Sequence, residues 1–193
     1  MTLAELGSAR TAARLGLALL VLGSCACLDN KLADETPSAR KVYIATPTSF
    51  NNYADWMTFD VPDGHGGTLG TTTVYLNDPP PDDAAEFPIG TILVKTMQPV
   101  GAPLDIHAMV KRGAGFNPKG ALGWEFFELA LDRKTSEPFI LWRGQDPPTG
   151  EMYQALLSSK SLPAADMELQ CNDCHATADA KDATFGALAA LLK

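Results

Sequence analysis

Trp124-Glu125-Phe126-Phe127-Glu128-Leu129-Ala130-Leu131 is the stretch whose reading decides the fold. Aromatic and aliphatic residues run through it without a glycine or proline, the composition of a β-strand. Phe139 to Trp142 is its expected hairpin partner, across a turn near Asp132 to Pro138. Upstream, Leu104 to Lys111 and Thr91 to Met97 form a second expected pair around the Gly101-Ala102-Pro103 turn. Thr71 to Leu76 is a further strand, stopped by Asn77-Asp78-Pro79-Pro80-Pro81, and Met57 to Val61 another, ending at the Pro62 to Gly67 turn. Helical signals are short: Pro47 through about Trp56, a turn from Asp82 to Phe87, and Glu151 to Leu157. The last runs from Asp182 to Leu192, with Phe185, Leu188 and Leu192 at helical spacing. The expected class is α+β, an antiparallel β-sheet with short helices at both ends.

Near the C-terminus stands Cys171-Asn172-Asp173-Cys174-His175, a C-x-x-C-H box. Two thiols at this spacing can each add to a vinyl group of one haem, and the histidine that follows can ligate the iron from below. The box therefore points to one covalent haem c, with Cys171, Cys174 and His175 as cofactor-binding residues and His175 as the metal ligand. A redox C-x-x-C pair should open a helix in a βαβ unit, and none is present in the pattern. A zinc site would need a further ligand from His65, His107 or Cys27, none of which has metal spacing. Four long helices are incompatible with the strand-like, Gly- and Pro-rich middle, so the haem is expected on one face of the sheet. No methionine follows His175; a sixth iron ligand must come from upstream.

Residues 1–24 read as an export signal, with Arg10 and Arg14, an apolar core from Leu15 to Leu22, and the small pair Gly23-Ser24. That core is too short to span a bilayer. Leu22-Gly23-Ser24-Cys25 resembles a bacterial lipoprotein box, which makes Cys25 a lipidation site; the other reading is an ordinary secretory signal with a nearby cysteine. Residues 25–40 then form a polar tether, and residues 41–193 the haem-binding domain. Cys27 is left over among the four cysteines. The expected location is the periplasmic side of a bacterial envelope, in the outer membrane because no acidic residue directly follows Cys25. The formal net charge is −8, which argues against nucleic acid as a partner.

Six stretches in order carry a wider similarity: Tyr53-Ala54-Asp55-Trp56, Thr73-Val74-Tyr75-Leu76, Phe87 through Lys95, Ala108-Met109-Val110-Lys111, Gly123-Trp124-Glu125-Phe126-Phe127, and the haem box with Ala178, Asp182 and Phe185 behind it. Together, over roughly Phe50 to Phe185, they resemble the cytochrome P-460 family. The resemblance implies an exported mono-haem c-type protein with an antiparallel sheet, a homodimer, and a ligand or substrate that is a small nitrogen compound such as hydroxylamine or nitric oxide. Lys95 matches the lysine that the hydroxylamine-oxidising members join to the haem edge. The related beta-type cytochromes c-prime share the fold without that link and bind nitric oxide on an apolar face. His107 departs from the pattern, since the oxidising members carry a glutamate immediately before the equivalent of Ala108.

Read as residues, these positions keep more than one meaning. Lys95 shares a strand face with Leu93 and Met97. Its head either meets the haem or reaches water over an apolar stem. His107 can relay protons, ligate iron, or serve as a hydrogen-bonded structural residue. Met109, on the same face as His107, lines the pocket or supplies the sixth ligand. Trp124, Phe126 and Phe127 are expected in the core or against the haem. Three functions follow: an enzyme or sensor with an open iron site, in which Lys95 and His107 are the catalytic candidates; a low-spin electron carrier with His107 or Met109 as sixth ligand; and an interaction module with a structural haem. The first two also imply a periplasmic redox partner, and all three attach to a membrane through the lipid.

Overall fold

Strict alternation of side chains along each strand is what builds this molecule. The computed structural model describes residues 41–61, 70–99, 103–113, 115–148, 150, 155, 158 and 171–193. Six strands, β1 (Met57–Asp60), β2 (Gly70–Leu76), β3 (Ile92–Pro99), β4 (Asp105–Lys111), β5 (Trp124–Leu131) and β6 (Pro138–Gly144), pair antiparallel in the order of the sequence. The expected signal over residues 1–24, the tether over 25–40 with Cys25 and Cys27, and the turn holding His65 lie outside the described residues. So does most of the expected helix at 151–157, of which Ala155 is helical.

The sheet is buried on both faces. One face carries Val74, Leu76, Leu93, Met109, Trp124, Phe126 and Trp142, packed against Ala183, Leu188 and Leu192 of the C-terminal segment. The other carries Ile92, Val94, Ile106, Ala108, Val110, Phe127 and Leu129, packed against Ala45, Phe50 and Tyr53. Full burial of each such side chain stabilises by about 1.5–3 kcal/mol. The register fixes which residues stand side by side: Phe59, Val74, Lys95, His107, Glu128 and Trp142 form one row across all six strands. At the step from Glu128 to Leu129 the partner strand carries one extra residue, Leu141, a bulge that bends β6 without breaking that row. The β5–β6 hairpin is set by Asp132, whose Oδ1 accepts from the N–H groups of Lys134 and Thr135 at 2.8 and 3.0 Å.

The expected helices are shorter than the sequence suggests. Pro47–Phe50 and Tyr53–Asp55 are two 3₁₀ turns, because Asn51 turns extended and ends the first, and Asn52 before the second is left-handed at φ 57°. From Asp82 to Phe87 there is a single turn closed by Ala84 N–H to the Pro81 carbonyl, with bends after it. In the C-terminal segment, α1 spans Cys171–Ala176, Asp179–Lys181 is a 3₁₀ turn, and α2 is only Gly186–Ala189. Asp182 cannot start a helix here: it and Ala183 are both left-handed, at φ 49° and 60°. Leu188 and Leu192 are buried as expected, but Phe185 is 47% exposed.

On the face away from the C-terminal segment, Glu125 is 3% exposed and is gripped by Arg143 through a two-bond fork of 2.8 and 2.7 Å. Arg112 stands 3.3 Å from the same carboxylate, and Arg143 also donates to the Ala45 carbonyl at 2.8 Å. Truncation of Arg143 leaves a buried carboxylate short of a partner and frees the N-terminal cover. Arg143→Ala is expected to cost about 3 kcal/mol in a urea unfolding titration; a loss under about 0.5 kcal/mol, the range of ordinary surface changes, would refute this role.

Candidate functional site

The C-x-x-C-H box occupies α1, on the face of the sheet that carries Lys95 and His107. Asn172, 8% exposed, fixes this helix to the β4–β5 loop. Its Oδ1 accepts from Asn117 Nδ2 at 2.5 Å and from the Ala121 N–H at 2.9 Å, while its own N–H donates to Asp146 Oδ1 at 3.1 Å. The loop can approach this closely only because position 120 is glycine: a Cβ there would sit 2.0 Å from Asn172 Oδ1.

His175 lies between two aromatic rings, Phe126 at 5.2 Å and Phe185 at 5.4 Å between centroids. Its Nδ1 is 2.7 Å from the Ala183 carbonyl oxygen. A carbonyl only accepts, so Nδ1 carries the proton and Nε2 keeps its lone pair. Burial lowers the pKa of the ring, and the Lys95 ammonium adds to that against the pull of the Ala183 bond. The result is a neutral imidazole of fixed tautomer and orientation, the state required of a metal ligand.

The two thiols are unlike one another: Cys171 is half-buried and Cys174 is exposed. Burial first, and Asp146 after it, push the Cys171 thiol up to about 11. A redox pair needs the opposite, a thiol whose pKa is depressed. Among the described residues no group of three or more His, Cys, Asp or Glu gathers to form a zinc site. The residues present thus fit a covalent haem, with Cys171 and Cys174 to hold it and Nε2 of His175 to meet its iron.

Opposite the box, β3, β4 and β5 bring together four titratable side chains. Lys95 and His107 are register partners, as are His107 and Glu128. Burial lowers the pKa of Lys95, opposed by the negative charge of Asp105 and of the two cysteine thiolates when they form. His107 Nε2 lies 2.9 Å from Asp105 Oδ1, two residues back on the same strand face. Burial would raise the Asp105 carboxyl, but the hydrogen bond from His107 and the charges of His107 and Lys95 hold it below the usual value. Glu128 accepts from Trp142 Nε1 at 2.8 Å. Met109 is buried in the apolar cluster beside this row, with Leu93 and Phe126 as its register partners.

Sequence reasoning did not single out Asp105, Glu128, Asn117 or Asn172 as site residues, and met Asp182 as the start of a helix and as part of a resemblance. Asp182 joins the C-terminal segment to the sheet. Its Oδ1 pairs with Lys111 Nζ and accepts from Trp124 Nε1 at 3.1 Å, and its Oδ2 accepts from the Phe87 N–H at 2.7 Å. Burial raises its pKa, with the Lys111 pair and the two N–H donors working against that. Strand alternation could have flagged Asp105 and Glu128, since both fall on the lysine–histidine face. Asn117, Asn172 and Asp182 have partners dozens of residues away, which no local pattern reveals.

Comparison with family models, with curated proteins and with solved structures returned no match. The Asp105–His107 pair nonetheless has a measurable signature. A depressed native pKa means that its contribution to stability is present above the ordinary carboxylate range and is lost as pH falls through the lowered value. In an NMR titration Asp105 should ionise below the ordinary value of about 3.9, and His107→Ala should move its midpoint upward. An unmoved midpoint would show that the two side chains do not interact.

Proposed function

We infer that this chain is an exported mono-haem c-type cytochrome of the cytochrome P-460 kind, which binds or oxidises small nitrogen compounds such as hydroxylamine or nitric oxide. The observation that carries this reading is the state of His175: neutral, with Nδ1 committed to the Ala183 carbonyl and Nε2 left for iron, directly behind two thiols at haem spacing. When bound, the haem would supply an iron that coordinates the nitrogen compound and takes electrons from it. Cys171 and Cys174 would hold the ring covalently, and Lys95, on the opposing strand face, would lie near its edge.

The polar row above gives that chemistry its protein groups. Oxidation of hydroxylamine releases protons with its electrons, and groups able to take them must stand nearby. His107, oriented by Asp105 much as a general base is oriented by a third residue, is one such group, and Glu128 in the same row is a second. With Nε2 of His107 bonded to Asp105, proton handling suits this histidine better than iron ligation. The imidazole at position 107 can thus do the work given to glutamate in the oxidising members.

We further infer a lipid anchor at Cys25, attachment on the periplasmic side of a bacterial outer membrane, a homodimer, and a periplasmic redox partner to receive electrons. These rest on the N-terminal sequence and on the resemblance.

The test is an absorption spectrum of the purified protein, ferric and ferrous, with and without carbon monoxide. The expected ferrous protein is high-spin and shifts on addition of carbon monoxide. A broad, strongly red-shifted ferrous Soret band would place a Lys95 cross-link at the ring, and an ordinary c-type band would mean that Lys95 is near it but unattached. Sharp low-spin bands indifferent to carbon monoxide would refute the open site in favour of an electron carrier; His107→Ala and Met109→Ala would then identify the sixth ligand by conversion to high spin.

A further inference from the structure

Among the described residues, polar clusters gather around Glu125, around Asn172 and around Asp182, and the last adjoins Ala183, whose carbonyl meets His175 of the C-x-x-C-H box. Asp182 and Ala183 are consecutive left-handed residues without being glycine, a conformation that persists only where surrounding bonds impose it. The bonds are visible. The Asp182 carboxylate is seized by Lys111, by Trp124 Nε1 and by the Phe87 N–H, three donors from two strands and a loop. On the other side, the Ala183 N–H donates to the Ala178 carbonyl at 3.0 Å, and Thr184 donates from N and Oγ1 to the Lys181 carbonyl at 3.1 and 2.7 Å. Between these anchors the Ala183 carbonyl is turned toward Nδ1 of His175.

We propose that Asp182 is the positioning residue for His175: its clamp on Lys111, Trp124 and Phe87 holds the left-handed Asp182–Ala183 pair, and so aims the Ala183 carbonyl at the imidazole. The proposal deepens the haem reading and rests on it for the ring's role as iron ligand. A histidine whose Nδ1–H is firmly bonded is a stronger electron donor to a metal through Nε2. Asp182 therefore acts on the iron without touching the haem or the imidazole.

The experiment measures solvent exchange of the His175 Nδ1 proton by NMR in the full-length, histidine-labelled protein, in the diamagnetic ferrous form under carbon monoxide, together with its midpoint potential. Asp182→Asn keeps the size of the side chain but sets an NH2 group against the Lys111 ammonium or the N–H donors. It is expected to speed exchange by about tenfold or more, the scale of one lost charge-assisted hydrogen bond in a local opening, and to raise the potential because the ligand donates less. Lys111→Met serves if the first variant fails to fold, and should act in the same direction. Arg143→Ala, which weakens the opposite face, is the control for general loosening and should leave exchange unchanged. Unaltered exchange in both clamp variants, or equal acceleration in Arg143→Ala, would overturn the proposal. If the purified protein carries no haem, the haem reading fails by itself. The same exchange measurement on that protein then decides the proposal, since the carbonyl is aimed at the ring with or without iron.

Discussion

The stretch that follows the C-x-x-C-H box is held to the sheet by one ion pair between a lysine and a carboxylate 71 residues later, Lys111 and Asp182. Such a pair adds little net stability compared with apolar side chains of the same volume, because desolvation offsets the attraction. Its contribution is direction. Apolar packing of Leu188 and Leu192 would tolerate a shifted tail, since hydrophobic contact is not directional. A buried carboxylate that must meet an ammonium, an indole N–H and a backbone N–H accepts only one placement. Asn172 does the same for the first turn of α1 through Asn117, Ala121 and Asp146. Two polar pins thus place a short segment of poor intrinsic helicity to within a hydrogen-bond length.

That placement divides labour between the two sides of the proposed site. The tail offers the groups that hold: two thiols and an imidazole with one nitrogen already committed. The sheet offers the groups that the proposed chemistry would use: Lys95, His107, Asp105 and Glu128, in neighbouring positions across three strands. Rigid strands suit this second task, because register fixes the spacing between side chains that a loop would leave variable. The opposite face is closed by Phe50 and Tyr53 and by the Glu125–Arg143 fork.

Much of the sheet was legible in the sequence, and the reason lies in particular residues. Trp124 to Leu131 matches β5 at both ends, and the other five strands fall within a few residues of their expected limits. Strand signals are local: alternation, β-branched residues, and the prolines after Asp78. The face shared by Leu93, Lys95 and Met97 was legible for the same reason. The helix from Asp182 to Leu192 was over-read, because local spacing cannot show that Asp182 is already committed to Lys111. Glu128 gains its meaning from His107 and Trp142 on neighbouring strands, whereas Asp105, two residues before His107 on the same strand face, could have been read from alternation alone. The C-x-x-C-H box was legible as a motif, whereas the carbonyl that sets its tautomer belongs to an alanine, a residue type that carries no signal at all.

The proposed function requires that Cys171 and Cys174 carry a haem. The most direct measurement is the mass of the full-length protein, exported from a bacterium with an active c-type haem attachment system and then fully denatured. The expected mass is increased by one haem, retained through denaturation and located on the peptide that contains both cysteines. A chain of unmodified mass at these residues, with both thiols open to alkylation after such export, would contradict it.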